Sequence, residues 1–228
     1  MKTVVKGVEP KELRDWKRSN ATSPQNRHYD NLSGAVKKAM LEKLAAEQGW
    51  LCAYTMKQIT DKDGGLQAHI EHILPRSAHP DQSLEWQNLI ACVPQPGVSC
   101  EYGAKLKDAY DPATQPFVNP TMGGVSAQFR FRENGEVDGL TEAARVTVSQ
   151  EVLHLNHPNL TNDRKGKIQG AIAHRPTAAQ ARQRAQLLRK TDQNGMLEPY
   201  CEAVAQVLEA YATRLEKRAS RTSKLKNT

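Results

Sequence analysis

At 228 residues, with 38% hydrophobic and 5% aromatic side chains and a mean hydropathy of -0.68, the chain is long enough for a real core, though a thin one. No apolar run approaches the roughly 20 residues of a bilayer-spanning helix, and Met1-Lys2-Thr3-Val4-Val5-Lys6 lacks a secretory leader core, so no membrane partner is expected and a cytoplasmic location is. A net charge of +7 and a pI near 9.2 suit nucleic acid or an acidic protein as partner, and equally a merely basic surface.

Residues 1–31 are polar, with Trp16 set among Lys11, Arg14, Lys17 and Arg18: an arm packed through Trp16 onto the core or a partner, or a basic arm on DNA. Leu32–Gln48 reads as a helix, capped by Ser33, striped by Val36, Met40, Leu41 and Leu44, and stopped by Gly49. Two short strands are expected over Leu51–Tyr54 and Leu66–Ile70, with Asp63-Gly64-Gly65 as the reversal and Lys57–Thr60 as an extension of the first. Alternation then puts His69 and Glu71 on one strand face, with His72 at the strand's end and Pro75 just beyond. A regular strand points Glu71 and His72 to opposite sides. It has to end or bulge at this pair if both serve one site.

Arg76–Glu85 is a polar loop in which His79 reads as a solvated histidine. Leu84 and Trp86 return the chain to the core and bring Asn88 near the histidines. Pro94 and Pro96 exclude a helix between Cys92 and Cys100, and a short helix is expected over Glu101–Ala109. Beyond a connector rich in proline, Gln128-Phe129-Arg130-Phe131-Arg132 and Asn134-Gly135 signal a hairpin with its return strand over Glu136–Leu140. Three helices follow, over Leu160–Ala173, Thr177–Lys190 and Leu197–Arg218, the last with Tyr200, Val204, Leu208, Tyr211 and Leu215 on one face. That stripe, with the Trp16 arm, is expected to dock a partner. The run Arg214, Lys217, Arg218, Arg221, Lys224 and Lys226 is either a solvated tail or a contact to a DNA backbone.

The fold class that emerges is α+β and mostly helical. It divides into an N-terminal arm (1–31), a core (32–110), a connector and hairpin (111–140) and a C-terminal helical region with a basic tail (141–228). The chemistry concentrates in the core. His69, Glu71 and His72 lie within four residues, with Cys52 before them and Asn88, Cys92 and Cys100 after. Hydrophobic packing has little use for that combination, whereas metal-assisted hydrolysis does. Three thiols would need a fourth ligand such as His69 to make a tetrahedral structural Zn²⁺ site, and a packed thiol cluster is the alternative. Cys201, on the apolar side of its helix, reads as core.

Four motifs occur in order: Cys52-Ala53-Tyr54, His69-Ile70-Glu71-His72, Trp86-Gln87-Asn88-Leu89 and Cys100-Glu101-Tyr102-Gly103-Ala104-Lys105. Together they resemble the HNH endonucleases, over about Trp16–Arg164, and more narrowly the HNH subunit of the Septu anti-phage system, which also occurs as a retron-associated effector. The resemblance implies a ββα-metal core and metal-dependent hydrolysis of DNA. It makes His72 the general base, Glu71 a ligand of Mg²⁺ or Mn²⁺, and Asn88 the triad residue that holds the histidine's loop. His69 is then either a second ligand or phosphate contact, or a histidine packed behind the strands. Glu101 falls near the missing third ligand, and Lys105 and Lys107 are phosphate contacts or lysines on a solvated helix face.

Relatives often staple this unit with two Cys-x-x-Cys pairs around zinc. Here Thr55 and Gln95 stand where the second cysteines would be. The resemblance also implies an ABC/SMC-like ATPase partner and, in retron versions, a reverse transcriptase with its non-coding DNA-RNA. The chain itself has no Gly-x-x-x-x-Gly-Lys-Ser/Thr loop. Two other functions fit the same residues: a catalytically degenerate ββα module that binds nucleic acid or scaffolds a complex, and a nuclease for tRNA or other RNA.

Overall fold

Helices dominate the computed structural model, which describes residues 1–226. The N-terminal arm contains helix α1 (Lys11–Ser19), which buries Leu13 and part of Trp16 against helix α2 (Gly34–Glu47). The arm therefore packs onto its own core. α2 starts where the Ser33 hydroxyl accepts the Val36 N–H and ends ahead of Gly49, whose φ is +62°. A side chain there would be strained twice over, because a Cβ would lie 2.7 Å from Leu197.

After α2 the chain makes a tight knuckle. The Cys52 N–H donates to the Lys57 carbonyl, Met56 adopts φ 60°, and Leu51 bridges Gln58. Leu51–Tyr54 is thus no strand, and Lys57–Thr60 does not extend one. Asp63 and Gly64 instead close a minimal hairpin of β1 (Asp61–Lys62) and β2 (Gly65–Leu66). Strand β3 (His69–His72) pairs antiparallel with β4 (Leu89–Cys92), and helix α3 (Ala104–Lys107) follows. β4 was the partner that alternation could not reveal. Leu-Ile-Ala-Cys is apolar throughout and buried on both faces, so it carries no period-two signal.

β4 also sorts the interior. Leu89 and Ala91 point into a core formed with α1 and α2, while Ile90 and Cys92 point into a larger one. The larger core gathers the hairpin β5 (Phe129–Phe131) and β6 (Val137–Gly139) with α4 (Glu142–Val148), α5 (Pro158–Ile172), α6 (Ala178–Leu188) and α7 (Cys201–Lys226). The stripe on α7 is covered by this chain's own α5, α6 and β5. Of the stripe, Tyr200, Val204 and Leu208 are buried and Tyr211 and Leu215 half-buried, and the Tyr200 N–H donates to the Met56 carbonyl.

The expected partner-docking stripe is therefore core, for a simple reason: periodicity shows a face but not what covers it. At about 1.5–3 kcal/mol per large buried apolar side chain, Val204, Val207 and Leu208 together contribute about 4.5–9 kcal/mol, comparable with a typical total stability of about 5–15 kcal/mol. A deletion after Glu198 would uncover the larger core into which Ile90 and Cys92 of β4 point. α7 continues as helix to Lys226, with Lys217, Arg218 and Arg221 exposed and Arg214 paired to Glu133; the side chains of Lys224 and Lys226 lie outside what is described. Among the described residues no helix is long and apolar enough to cross a membrane.

Candidate active site

The β3–β4 register is regular, with His69 opposite Cys92, Glu71 opposite Ile90 and His72 opposite Leu89. β3 then stops at His72 without a bulge. Ending there lets residues from both strand faces reach one cleft of about 610 Å³, lined by His69, Glu71, His72, Pro75, Arg76 and Lys105 among others.

His72 is buried, and its ring meets the Tyr29 ring edge-on at 4.8 Å. Its Nε2 lies 2.9 Å from the Ser83 carbonyl oxygen. A carbonyl can only accept, so Nε2 carries the hydrogen and Nδ1 is left with the lone pair. Burial depresses the pKa to about 4, against the Ser83 hydrogen bond that would raise it and with help from the Arg76 charge. At neutral pH the imidazole is unprotonated and has a free nitrogen.

Asn88 holds this arrangement in place. Its Oδ1 accepts the Leu74 N–H at 2.7 Å, while Nδ2 donates to the Leu74 carbonyl at 3.2 Å and the Gln82 carbonyl at 3.1 Å. The amide thus ties both ends of the loop that presents Ser83 to His72. Both polar atoms of the Asn88 amide are thus engaged within the loop.

The other strand face has different chemistry. His69 Nδ1 lies 2.5 Å from the Pro94 carbonyl and must donate to it, so in the neutral ring Nε2 is the lone-pair nitrogen. That Nε2 faces Glu71 Oε2 at 3.8 Å. The second oxygen, Glu71 Oε1, is buried and accepts no hydrogen bond, with Lys107 Nζ at 3.2 Å. A carboxylate and an imidazole lone pair facing one another, the ring's other nitrogen anchored on a backbone carbonyl, suit a divalent cation. Two protein donors with water completing the shell is ordinary for Mg²⁺ or Mn²⁺. Among the described residues no group of three or more His, Cys, Asp or Glu side chains is arranged around one such point.

The remaining candidates scatter. Glu101 does not line the cleft; it is exposed and sits 3.3 Å from His157 Nε2. Lys105 lines the cleft. Lys107 is neither a nucleic-acid contact nor a solvated lysine: its side chain is fully buried, with Nζ donating to the His72 carbonyl at 3.2 Å and neutralising Glu71. His79 is not merely solvated either, since its Nε2 lies 2.9 Å from the Asp111 carboxylate.

Cys52, Thr55 and Cys92 are brought together and buried, whereas Cys100 lies apart and bonds Tyr102. Burial pushes both buried thiols up, and Cys92 goes well above the usual range. Hydrogen bonds from Cys92 and Thr55 instead bring Cys52 down to about 6. Sequence reasoning had no signal for Tyr29 or Ser83, because one contributes a ring edge and the other only its backbone carbonyl. A scan against protein-family models finds no match to this chain, and no curated protein matches it significantly.

Proposed function

We propose that the chain is a metal-dependent HNH endonuclease that hydrolyses DNA phosphodiester bonds. The observation that carries this reading is the meeting, in one cleft, of a neutral His72 with a free Nδ1 and an aligned His69–Glu71 donor pair. The order β3, β4, α3 fits a ββα-metal core, as does the use of Asn88 as a loop brace.

In this reading His72 Nδ1 takes the proton of the attacking water as its oxygen bonds to phosphorus. The bond from phosphorus to the leaving oxygen then breaks, and that oxygen takes up a proton. A cation on Glu71 and His69 would supply neutralising charge for the phosphate and the leaving oxygen. Ser83 and Asn88 fix the tautomer and direction of the base, and Lys105 holds a neighbouring phosphate. A base with a pKa near 4 is weak, but it is always in the form that accepts a proton at neutral pH.

One observation favours the degenerate-module reading. The Lys107 ammonium already neutralises Glu71 and would compete with a cation there. The two readings part in a cleavage assay on the purified chain with labelled plasmid, single-stranded DNA and RNA, each with Mg²⁺, Mn²⁺ or EDTA. We expect metal-dependent cleavage of DNA that is lost in His72→Ala. Metal-dependent binding without cleavage would favour the degenerate module, and cleavage of RNA alone would move the substrate to RNA. The proposed role as effector of a cytoplasmic prokaryotic anti-phage complex, with an ABC/SMC-like ATPase and in retron form a reverse transcriptase and its DNA-RNA, rests on the sequence resemblance. The absence of a nucleotide-binding Gly-x-x-x-x-Gly-Lys-Ser/Thr loop fits an ATPase supplied by another subunit.

A further inference from the structure

The candidate cleft does not stand alone. A second cavity of about 490 Å³ adjoins it, and His69, Ile70 and Lys105 line both. Sharing that wall, the two form a trough from His72 past β3 to α2 and the β1–β2 turn. Their linings differ. The second cavity has an apolar floor of Leu41, Leu66, Ile70 and Pro96, with Tyr29 on its wall. Lys37, Lys38 and Lys105 stand around that floor, against one carboxylate, Glu42, whose Oε1 lies 3.9 Å from Lys38 Nζ. Lys37 Nζ sits 4.9 Å above the Tyr29 ring.

From this lining we infer that the trough seats a single-stranded segment of the DNA substrate beside the scissile phosphate, an inference that rests on the nuclease reading. A duplex presents phosphates and sugars outward and keeps its base faces stacked inside, so an apolar floor offers it nothing. An unpaired strand has the opposite needs. Its bases have flat apolar faces to lay on Leu41, Leu66, Ile70 and Pro96, and its phosphates need cations at the rim. DNA rather than RNA is the inferred occupant because it is the substrate of the nuclease reading. Continuity with the cleft sets the path: Lys105, shared by both cavities, holds the phosphate between the reacting one and the strand in the trough. The substrate would be DNA with an unpaired stretch at the cut, such as a flap, gap or displaced strand.

The test is fluorescence anisotropy on the full chain in EDTA, with a labelled oligothymidine, an oligouridine of equal length and a blunt duplex. Wild type is compared with Lys37→Ala/Lys38→Ala, on the exposed side of α2, and with Leu41→Glu, each checked for folding by circular dichroism. We expect oligothymidine to bind at least about fivefold more tightly than duplex, as stacking of even one base at about 1–3 kcal/mol requires. Removing two phosphate contacts should flatten the salt dependence of oligothymidine binding by about 1.4 logarithmic units per decade of salt. Leu41→Glu should weaken oligothymidine several-fold and leave duplex binding unchanged.

Equal or tighter binding of duplex, tighter binding of oligouridine, no measurable binding of oligothymidine, or trough variants that leave it unchanged would each overturn the inference. Because binding is read without metal, the two proposals fail separately. A chain that holds oligothymidine through Lys37, Lys38 and Leu41 but cuts nothing retains the trough and loses the nuclease. A chain that cuts duplex with the trough variants unimpaired does the reverse.

Discussion

The two faces of the β3–β4 ribbon share one register but are supplied by different parts of the chain. On one face Ile70, His72, Leu89 and Ala91 pack towards α1 and α2, and His72 meets Tyr29 and the Ser83 carbonyl. On the other, His69, Glu71, Ile90 and Cys92 look towards the larger core, where α3 brings Lys107 to Glu71. The first face is dry and holds its histidine neutral. The second is charged and offers lone pairs. Burial outweighs the field of Glu71 on His72, so a carboxylate one residue away does not draw a proton onto the imidazole. A single backbone thus brings two different electrostatic settings to one cleft from its opposite faces.

The largest break in this comparison comes from His72→Ala. Cleavage should fall by about 10²–10⁴, the usual contribution of a general base, while Mn²⁺ affinity by calorimetry stays put. Loss of both together would show that the two faces are not independent. Lys107→Met attacks the other face. It leaves Glu71 buried without its counter-charge, and urea unfolding in EDTA should show about 3–5 kcal/mol less stability. Mn²⁺ should restore more stability to this variant than it adds to wild type. An equal increment in both would mean that Glu71 does not face the cation.

A pH titration sharpens the first face. His72 titrates near 4 when folded and near its ordinary 6.5 when unfolded, so between those values the unfolded chain binds the extra proton. Stability from this source is complete above pH 6.5 and is lost as the pH falls towards 4, by up to about 3 kcal/mol. Urea midpoints across that range in EDTA should fall for wild type and stay flatter for His72→Ala.

Asn88→Ala should cost about 1–3 kcal/mol, since it strands the Leu74 N–H and two carbonyls. Its kinetic mark should be a lower kcat with KM little changed, and Asn88→Asp, which keeps the acceptor for Leu74, should recover part of the rate. Parallel loss in KM would mean that Asn88 touches substrate. The smallest effect belongs to His79→Ala. That pair with Asp111 is near the surface and lies outside both faces, so a stability change under about 1 kcal/mol and an unaltered rate are expected.

Much of the frame was legible in the sequence because local rules set it. Ser33 and Gly49 bound α2, Asn134-Gly135 turns β5 into β6, and alternation puts His69 and Glu71 side by side. What escaped was set by distant contacts. A lysine such as Lys107 reads as solvated until the fold delivers a buried carboxylate to it. The α7 stripe reads as unpartnered until α5 and α6 fold onto it. β4 reads as any short apolar run, and with it went the identity of the strand that pairs with the histidines.

The distribution of sulfur has a practical consequence. Cys52, Cys92 and Cys201 are each at most 1% exposed, so even the acidic thiol of Cys52 is closed to a reagent in solution. Cys100 alone among the four reaches solvent, on the segment that joins β4 to α3. A maleimide dye added to the native chain therefore has one place to attach, on the same segment as Pro96. The chain comes with a single built-in handle for an optical reporter, and no cysteine has to be engineered away to use it.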